Sequence, residues 1–364
     1  MKGLYINDTF YSAQSLKGSD SRPSALYAKA PEDSFLQKLA LFYQDFLNQN
    51  PCMQVKTSGS TGTPKLMSVK KEYMQNSARA TLNYLKLKAD DSALLCMPLD
   101  YIAGKMMALR ALLGELKLYT ANPGRDPFLN IDYPHHFDFI AITTMQAACI
   151  LENDESLERL FACKNTIIGG GPLNADVAAI LQKSPNAIYQ SYAMTETLSH
   201  IALLDIRHDG DIYTLFDNVK LSLSQNGTAI IQARHLCDED IVCNDLIELI
   251  DDRHFRVTGR IDNVINTGGI KVLAEDLEKA LYGFSKRSFA ISKVAHNVYG
   301  HQIVLVIEGS SSDFTDNKAL EAKIEALPRY HRPKHTVFID KIPMTETYKI
   351  KRKELEALVN KILL

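Results

Sequence analysis

The sequence lacks the marks of several protein classes. Its 364 residues carry a formal net charge of −2, so charge favours neither nucleic acid nor an anionic membrane as a partner. The first residues contain no apolar leader, and no apolar run is long enough to span a bilayer. Six scattered cysteines form no CxxC pair, so no disulfide framework or zinc site is indicated. We therefore expect a cytoplasmic protein without membrane insertion.

The chain alternates apolar runs with amphipathic helical patterns. Four apolar runs predict buried strands, at 93–99, 138–144, 165–171 and 186–192. Helical patterns separate or flank them, at 71–87, 103–116, 145–161 and 174–184. Alternation of this kind favours a layered α/β fold with parallel sheet, in which ligands bind beyond the carboxyl ends of the strands.

The pattern changes after residue 210. Residues 211–258 alternate apolar and polar positions between turn signals, which predicts a small antiparallel β subdomain. A mixed α+β pattern then runs to the end. Its predicted helices and strands lie at 274–284, 294–299, 303–309, 318–327, 335–340 and 351–363. We expect a large N-terminal domain to residue 259 and a C-terminal α+β domain of ordinary size.

The segment TSGSTGTPK, residues 57–65, is the motif that most strongly indicates a binding function. It combines two glycines with five hydroxyl side chains and ends in a lysine, so its N–H and O–H groups could surround phosphate oxygens. The spacing is not that of a Walker A loop. A solvated turn is the alternative explanation. The residues concerned are Thr57, Ser58, Gly59, Ser60, Thr61, Gly62, Thr63 and Lys65.

This loop resembles the signature loop of the adenylate-forming superfamily, which contains acyl- and aryl-CoA synthetases, peptide-synthetase adenylation domains and luciferases. Four further motifs follow in the family's order: GGGP ending at Pro172, YAMTE from Tyr192, GRIDNVINTGG from Gly259, and PMTETYKIKR from Pro343. The resemblance implies a small mobile C-terminal domain at 263–364, joined through a hinge at 260–262 to the domain at 1–259. It also implies ATP, Mg²⁺ and coenzyme A.

The resemblance implies roles for the nucleotide-binding residues. Gly170, Gly171 and Pro172 would lie against adenine, and Tyr192 would stack on it. In the same motif Thr195 would hydrogen-bond the α-phosphate, and Glu196 would help to hold Mg²⁺.

Two further residues complete the expected nucleotide site. Asp245 would bind the ribose hydroxyls, although the usual TGD reads CND here and the spelling alone indicates a turn. Arg260 would contact ribose or phosphate.

Three features of the C-terminal motifs carry expected roles in catalysis. Asp262 would be the pivot about which the C-terminal domain rotates between half-reactions. Gly268 and Gly269 would form the loop that lines the pantetheine tunnel. Lys349 would neutralise charge between the attacking carboxylate and the α-phosphate, although Tyr348 stands where glycine is usual.

The best likeness within the superfamily is to the o-succinylbenzoate–CoA ligases of menaquinone biosynthesis. It rests on the segments at 97–115, 167–181 and 192–204. Such an acid keeps a second carboxylate after activation and needs a cation or hydroxyl groups in its pocket. The expected contacts are Tyr101, Lys105, Ser199 and His200.

Other functions stay open from the sequence. The loop at residue 57 comes earlier than in most members, which leaves the acid and a possible homo-oligomer undecided. One alternative is a ligase for another aryl or acyl acid, with coenzyme A or a carrier protein as acceptor. The other is a non-catalytic nucleotide-binding module, because fold alone does not prove turnover.

Overall fold

The computed structural model describes residues 2–18, 23–56, 66–129, 136–345 and 350–364. The first part of the chain forms two hairpins with three helices between them. Its elements are β1 (Gly3–Ile6), β2 (Thr9–Ser12), α1 (Ala13–Lys17), α2 (Ala25–Lys29), α3 (Phe35–Leu47), β3 (Cys52–Lys56) and β4 (Leu66–Lys70). Each helix begins after a serine whose side chain accepts a backbone N–H three residues on, which satisfies one of the free donors of the first turn.

A parallel sheet with helices follows. Its elements are α4 (Lys71–Tyr84), β5 (Ser92–Leu95), α5 (Ile102–Gly114), β6 (Lys117–Thr120), β7 (Phe139–Thr143), α6 (Thr144–Ile150), α7 (Asp154–Ala162), β8 (Asn165–Gly169), α8 (Ala175–Leu181) and β9 (Ala187–Ala193). The strands β6, β5, β7, β8 and β9 are hydrogen-bonded in that order, all in parallel.

Two predicted boundaries in this region are wrong. The helical pattern at 145–161 is two helices, because the Asn153 side chain accepts the N–H of Ser156 and starts a new helix there. The strand predicted at 93–99 ends at Leu95, and the residues after it turn into α5.

Six antiparallel strands extend the same sheet. They are β10 (His200–Asp205), β11 (Ile212–Leu215), β12 (Lys220–Leu223), β13 (Thr228–Gln232), β14 (Ile241–Leu249) and β15 (His254–Arg260). β10 pairs with β9, so thirteen of the described strands form one sheet. The antiparallel strands that we expected to form a subdomain therefore continue the parallel sheet.

The last hundred residues build a separate sheet. After a 3₁₀ turn (Ile261–Asn263) come β16 (Val264–Thr267), β17 (Ile270–Leu273), α9 (Ala274–Leu281), β18 (Phe289–His296), β19 (Gly300–Glu308), α10 (Asn317–Ala326), a second 3₁₀ turn (Arg329–His331), β20 (His335–Ile339) and α11 (Arg352–Leu363). The strand predicted to start at 294 begins at Phe289. This sheet has apolar clusters of its own, one under α9 and α10 and one under α11. The predicted fold class is confirmed, whereas the exact domain limits stay a prediction.

Helix α5 lies deep in the larger core. Seven consecutive residues, 106–112, are buried, so the helix has no polar face. Since one of them is Arg110, the helix carries a guanidinium group into the apolar interior. No helix among the described residues is long and apolar enough to cross a membrane.

Candidate active site

Three predicted motif segments lie at one edge of the large sheet. The segment at 97–105 follows β5, the glycines at 169–171 end β8, and the YAMTE motif leaves β9. These strands run in parallel and are separated only by β7. The loops after their carboxyl ends are therefore neighbours, and this edge is the candidate active site.

The predicted phosphate loop is framed by a hairpin that contacts this edge. Residues 57–65 lie outside the described residues, but β3 and β4 pair from Cys52 with Lys70 to Lys56 with Leu66 on either side of them. Lys56 forms a parallel bridge with Tyr101. Lys105 Nζ donates to the backbone oxygen of Gln54 at 3.2 Å. Tyr101 and Lys105 are thus placed beside the start of the predicted loop.

The predicted adenine segment makes a tight turn. Gly170 has a φ of 100°, a conformation that only glycine adopts readily. A Cβ at Gly169 would lie 2.9 Å from Ser191 Oγ, so β8 and β9 approach closely here. Gly170 and Pro172 are exposed, with Gly171 half-buried between them. This leaves an open backbone surface at the sheet edge.

Tyr192, Asp245 and Arg260 form a connected group. The Tyr192 hydroxyl donates to Asp245 Oδ2 at 2.9 Å, and Arg260 Nη1 donates to Asp245 Oδ1 at 2.8 Å. Asp245 stands opposite Arg260 in the β14–β15 register, so it is a strand residue, and the turn indicated by its spelling is wrong. Burial and the Asp245 charge raise the pKa of Tyr192. The group joins three predicted nucleotide residues, whose roles stay predictions.

The Tyr192 ring is packed between aromatic neighbours. It is 7% exposed, and its centroid lies 5.2 Å from that of Phe255 and 5.9 Å from that of Tyr213. The contacts are edge-on or tilted, as aromatic pairs prefer. They fix the ring at the end of β9, on the side of the sheet from which β14 and β15 present Asp245 and Arg260.

The predicted hinge residue is held by two side chains. Asp262 Oδ2 accepts from Asn244 Nδ2 at 2.9 Å and from Arg260 Nη2 at 3.2 Å. Asn244 precedes Asp245 in β14, so one strand supplies contacts both to the hinge and to the predicted ribose site. The hydrogen bond from Asn244 to Asp262 thus comes from the asparagine of the CND sequence, which stands where TGD is usual.

The turn after β9 presents Thr195 and Glu196. Leu198 is buried with a φ of 66°, and Thr197 Oγ1 donates to Ser199 O at 2.8 Å, so the turn is firmly shaped. Thr195 is half-buried and Glu196 is exposed. Among the described residues no side chain is paired with the Glu196 carboxylate, and no cluster of three ligand-type side chains could hold a metal. One free carboxylate fits a Mg²⁺ ion bound chiefly by phosphate oxygens.

A buried arginine, which the motifs did not predict, lies beside this turn. Arg110 is 3% exposed, and its Nη2 donates to Ser199 Oγ at 2.6 Å. Its Nε has no hydrogen-bond partner within the described ranges. Burial lowers its pKa to about 9, which still leaves the group protonated at neutral pH. The only signal in the sequence is a single charge inside the apolar run MMALRALL.

His200 is the neighbour of this arginine and is uncharged. It is buried, its Nε2 lies 2.9 Å from Thr81 Oγ1, and its Nδ1 lies 3.3 Å from Ser199 Oγ. Burial first, and then the Arg110 charge, lower the pKa of His200 well below its usual value. The ring can therefore hydrogen-bond at neutral pH but does not supply a positive charge.

The predicted C-terminal motifs lie on the smaller sheet. Gly268 and Gly269 form the turn between β16 and β17 with φ values of 59° and 83°, and Gly268 N–H donates to Tyr299 O at 2.9 Å. Lys349 lies outside the described residues. Arg352, three residues later, pairs with Glu278 of α9 through two bonds of 2.7 Å. The described chain is thus tied to α9 at Arg352.

The chain is similar to known proteins along most of its length. The family model described as AMP-binding enzyme matches residues 18–223. A 2-succinylbenzoate–CoA ligase of Bacillus cereus (strain Q1) is 22% identical over 91% of this chain and 74% of its own length.

Two solved structures show the same fold. An acyl-CoA synthetase (AMP-forming)/AMP-acid ligase II-like protein from Dyadobacter fermentans is 28% identical, over 91% of this chain and 96% of its own, with a TM-score of 0.62. The o-succinylbenzoate coenzyme A synthetase of Bacillus subtilis, in complex with ATP and magnesium ion, is 18% identical over 83% of this chain and 69% of its own, with a TM-score of 0.68. The predicted superfamily and the predicted class, an AMP-forming acid–CoA ligase, are confirmed. The chain belongs to the AMP-binding enzyme family.

Proposed function

We propose that this chain activates o-succinylbenzoate with ATP and transfers the acyl group to coenzyme A. Two observations support the proposal: the Bacillus relatives named for this reaction, and the buried guanidinium group of Arg110 beside Ser199. The assignment includes a place in menaquinone biosynthesis and a cytoplasmic location.

Arg110 carries the choice of acid. A buried cation without an anionic partner is costly, and no ion pair of Arg110 occurs in the described part of the chain. o-Succinylbenzoate has two carboxylates, only one of which becomes the adenylate. The second carboxylate would accept from Arg110 and from the Ser199 hydroxyl, and so supply the missing anion.

The remaining polar groups would orient the same carboxylate. His200 lies within 3.3 Å of Ser199 Oγ through Nδ1, so a neutral ring can fix the direction of that hydroxyl. Thr81 holds the other ring nitrogen. We therefore assign the positive charge of the proposed acid site to Arg110 and its hydrogen bonding to Ser199 and His200.

The first half-reaction joins the acid to AMP. The acid's carboxylate oxygen attacks the α-phosphorus of ATP in line, and the bond to the β-phosphate breaks as pyrophosphate leaves. Lys65 and Lys349, both outside the described residues, would neutralise charge on the phosphates. Mg²⁺, when bound, would supply further charge neutralisation there, and Glu196 would hold it.

The second half-reaction forms the thioester. The thiol of coenzyme A loses its proton to solvent and attacks the carbonyl carbon of the adenylate, whereupon AMP leaves. We propose that residues 263–364 rotate about Asp262 between the two steps, and that Gly268 and Gly269 then line the pantetheine path. No covalent help from the protein is required, because orientation and charge neutralisation supply the acceleration.

The nucleotide would lie along the group formed by Tyr192, Asp245 and Arg260. Each Asp245 oxygen already accepts one hydrogen bond and keeps lone pairs for a ribose hydroxyl. The exposed residues Gly170 and Pro172, with half-buried Gly171 between them, leave room for the adenine ring. Thr195, at the same edge, would donate to the α-phosphate.

The test replaces the charged side chain of Arg110 with an uncharged one of similar length. In Arg110→Met, the KM for o-succinylbenzoate should rise about a hundredfold while the KM for ATP stays the same, because only the second carboxylate loses its partner. Lys105→Met is the matched comparison on the same helix. An analogue of o-succinylbenzoate that lacks only the second carboxylate should be used equally poorly by wild type and Arg110→Met.

Each outcome separates the alternatives. A raised KM in Lys105→Met alone would move the second carboxylate to Lys105 and contradict the role of Arg110. Activity of the wild type with another aryl or acyl acid, but not with o-succinylbenzoate, would contradict the proposed substrate and leave the adenylation chemistry. ATP binding without turnover of any acid would favour a non-catalytic nucleotide-binding module.

A further inference from the structure

Tyr282 makes a polar contact between the C-terminal part of the chain and helix α8 of the larger part. Its hydroxyl donates toward Asn174 Oδ1, 2.6 Å away, and toward Asp176 Oδ2. Both acceptors lie at the start of α8, more than a hundred residues earlier in the chain. Tyr282 is half-buried and directly follows α9.

Both acceptor residues belong to the start of α8. Asn174 is the N-cap of α8, and its side-chain oxygen also accepts from Asp176 N at 2.9 Å. Since the N-cap bond determines where the helix starts, the Asn174 oxygen is held in place independently of Tyr282. A tyrosine hydroxyl has a single proton, and one of the two acceptors is an anion, so the bond has charge-assisted character.

The contact links two parts of the proposed reaction machinery. Asn174 comes two residues after Pro172, at the predicted adenine segment. On the other side, Glu278 of α9 holds Arg352 next to the segment of Lys349, and α9 begins five residues after Gly269. The Tyr282 hydroxyl therefore connects α8, next to the predicted adenine segment, with the end of α9, which contacts Arg352 through Glu278.

We propose that the Tyr282 hydroxyl is a pose-selective latch that stabilises one of the two orientations of residues 263–364 relative to the large sheet. The inference rests on the proposed rotation about Asp262. Such a rotation moves Tyr282 away from α8, so its bond exists in one orientation only. Tyr282 is thus a positioning residue that sets the balance between the two half-reactions.

The test removes only the hydroxyl. In Tyr282→Phe, o-succinylbenzoate-dependent pyrophosphate exchange and coenzyme A-dependent release of AMP from preformed adenylate should change in opposite directions. Their ratio should shift about threefold to tenfold, as expected for the loss of one hydrogen bond from one of two states. The unfolding temperature should stay within about 2 °C of wild type, since the bond lies at a half-exposed contact.

A second readout needs no substrate. Trypsin cleavage after Arg260, in the hinge, and after Lys271, beyond it, should become about threefold to tenfold faster in Tyr282→Phe. The variant adopts the latched orientation less often, and we expect that orientation to shield the hinge. Adding Asp176→Ala to Tyr282→Phe should cause no further change in this rate, because both changes remove the same bond. Tyr330→Phe is the control, since Tyr330 is exposed on the smaller sheet's side of the chain.

The outcomes keep the two proposals apart. Faster cleavage with no turnover of o-succinylbenzoate would uphold the latch and contradict the proposed substrate. Normal turnover with an unchanged ratio and unchanged cleavage would overturn the latch. An equal effect in Tyr330→Phe would also overturn it, because the change would then not belong to the bond with α8.

Discussion

The Tyr192 hydroxyl donates to Asp245 Oδ2 at 2.9 Å, across 53 residues of chain. One residue ends a parallel strand and the other lies on an antiparallel strand of the same sheet. Arg260 engages the second Asp245 oxygen, so the carboxylate is oriented from both sides. The predicted ribose residue is therefore held by contacts from both the parallel and the antiparallel part of the sheet.

Removal of this hydroxyl should weaken ATP binding. In Tyr192→Phe, Asp245 keeps Arg260 but loses its second restraint, so the KM for ATP should rise about threefold to tenfold. The free energy of unfolding should fall by about 1 kcal/mol, because the bond is mostly buried. Steady-state kinetics and urea unfolding measure the two effects. Tyr213→Phe, which alters a neighbouring ring in the same cluster, is the comparison, and an equal rise in KM there would contradict the role of the Asp245 bond.

The stability of the protein should depend on pH through His200. Its folded pKa lies below the ordinary value of about 6.5, so the unfolded chain binds the proton more readily. Stability is therefore intact above pH 6.5 and falls as the pH decreases below it, by up to about 1.4 kcal/mol per pH unit until the folded pKa is reached.

His200→Gln keeps a hydrogen-bonding side chain without this titration. The slope of unfolding free energy between pH 6.5 and 5 should become shallower in the variant, as measured by urea unfolding at several pH values. His208→Gln, at an exposed site, is the control. An identical slope in wild type and His200→Gln would show that the ring is not held neutral by burial.

Gly104 should tolerate no side chain. A Cβ there would lie 2.3 Å from Pro98 O and 2.8 Å from Met97 O, both backbone atoms of the segment that follows β5. Gly104→Ala should therefore destabilise the protein by about 1–3 kcal/mol and raise the KM for the acid.

Gly114→Ala is its matched control on the same helix. A Cβ there meets mainly the flexible ends of Leu82 and Leu116, at 2.9 and 3.1 Å, so the neighbours can move. Its loss of stability should be the smaller of the two, and acid binding should be unaffected. Thermal unfolding measures the loss of stability, and the KM for the carboxylic acid measures substrate binding. A larger loss of stability in Gly114→Ala than in Gly104→Ala would contradict the close packing of α5 on the 97–104 segment.

Loss of the Glu278–Arg352 pair should slow adenylation. The pair is bidentate and about three-quarters buried, and Arg352 anchors the segment of Lys349. Glu278→Gln should lower the rate of pyrophosphate exchange about tenfold with little change in either KM, since positioning acts in the transition state. Glu356→Gln breaks a looser pair with Lys293 at 3.8 Å and should leave exchange near wild type. A drop of equal size in both variants would contradict the anchoring role.

Sequence patterns located the motifs but not every contact between them. Buried strands followed by glycine or hydroxyl-rich segments predicted which loops meet at the sheet edge, because parallel strands present their carboxyl ends together. The strand position of Asp245 was not predicted, because the sequence CND is typical of a turn. In the structure Asp245 lies in β14 and pairs with Arg260 of β15. Asn244 gained its contact with Asp262 only through that pairing.

Arg110 was missed for a different reason. Its charge lies in a helix whose apolar residues cover every face, and only tertiary packing shows that such a helix is surrounded by other elements. The division of the predicted helix into α6 and α7 at Asn153 was also not predicted. The apolar pattern is helical on both sides of Asn153, so it does not show that this side chain caps a new helix. Two predicted motif loops, at 57–65 and around Lys349, lie outside the described residues, and their roles stay predictions.

Acid-dependent ATP–pyrophosphate exchange tests the central claim most directly. The proposal predicts exchange with o-succinylbenzoate, its loss in Lys349→Ala, and a hundredfold weaker use of the acid in Arg110→Met, on the order expected for a buried charge pair. Exchange that ignores o-succinylbenzoate, or that proceeds unchanged in Arg110→Met, would contradict it.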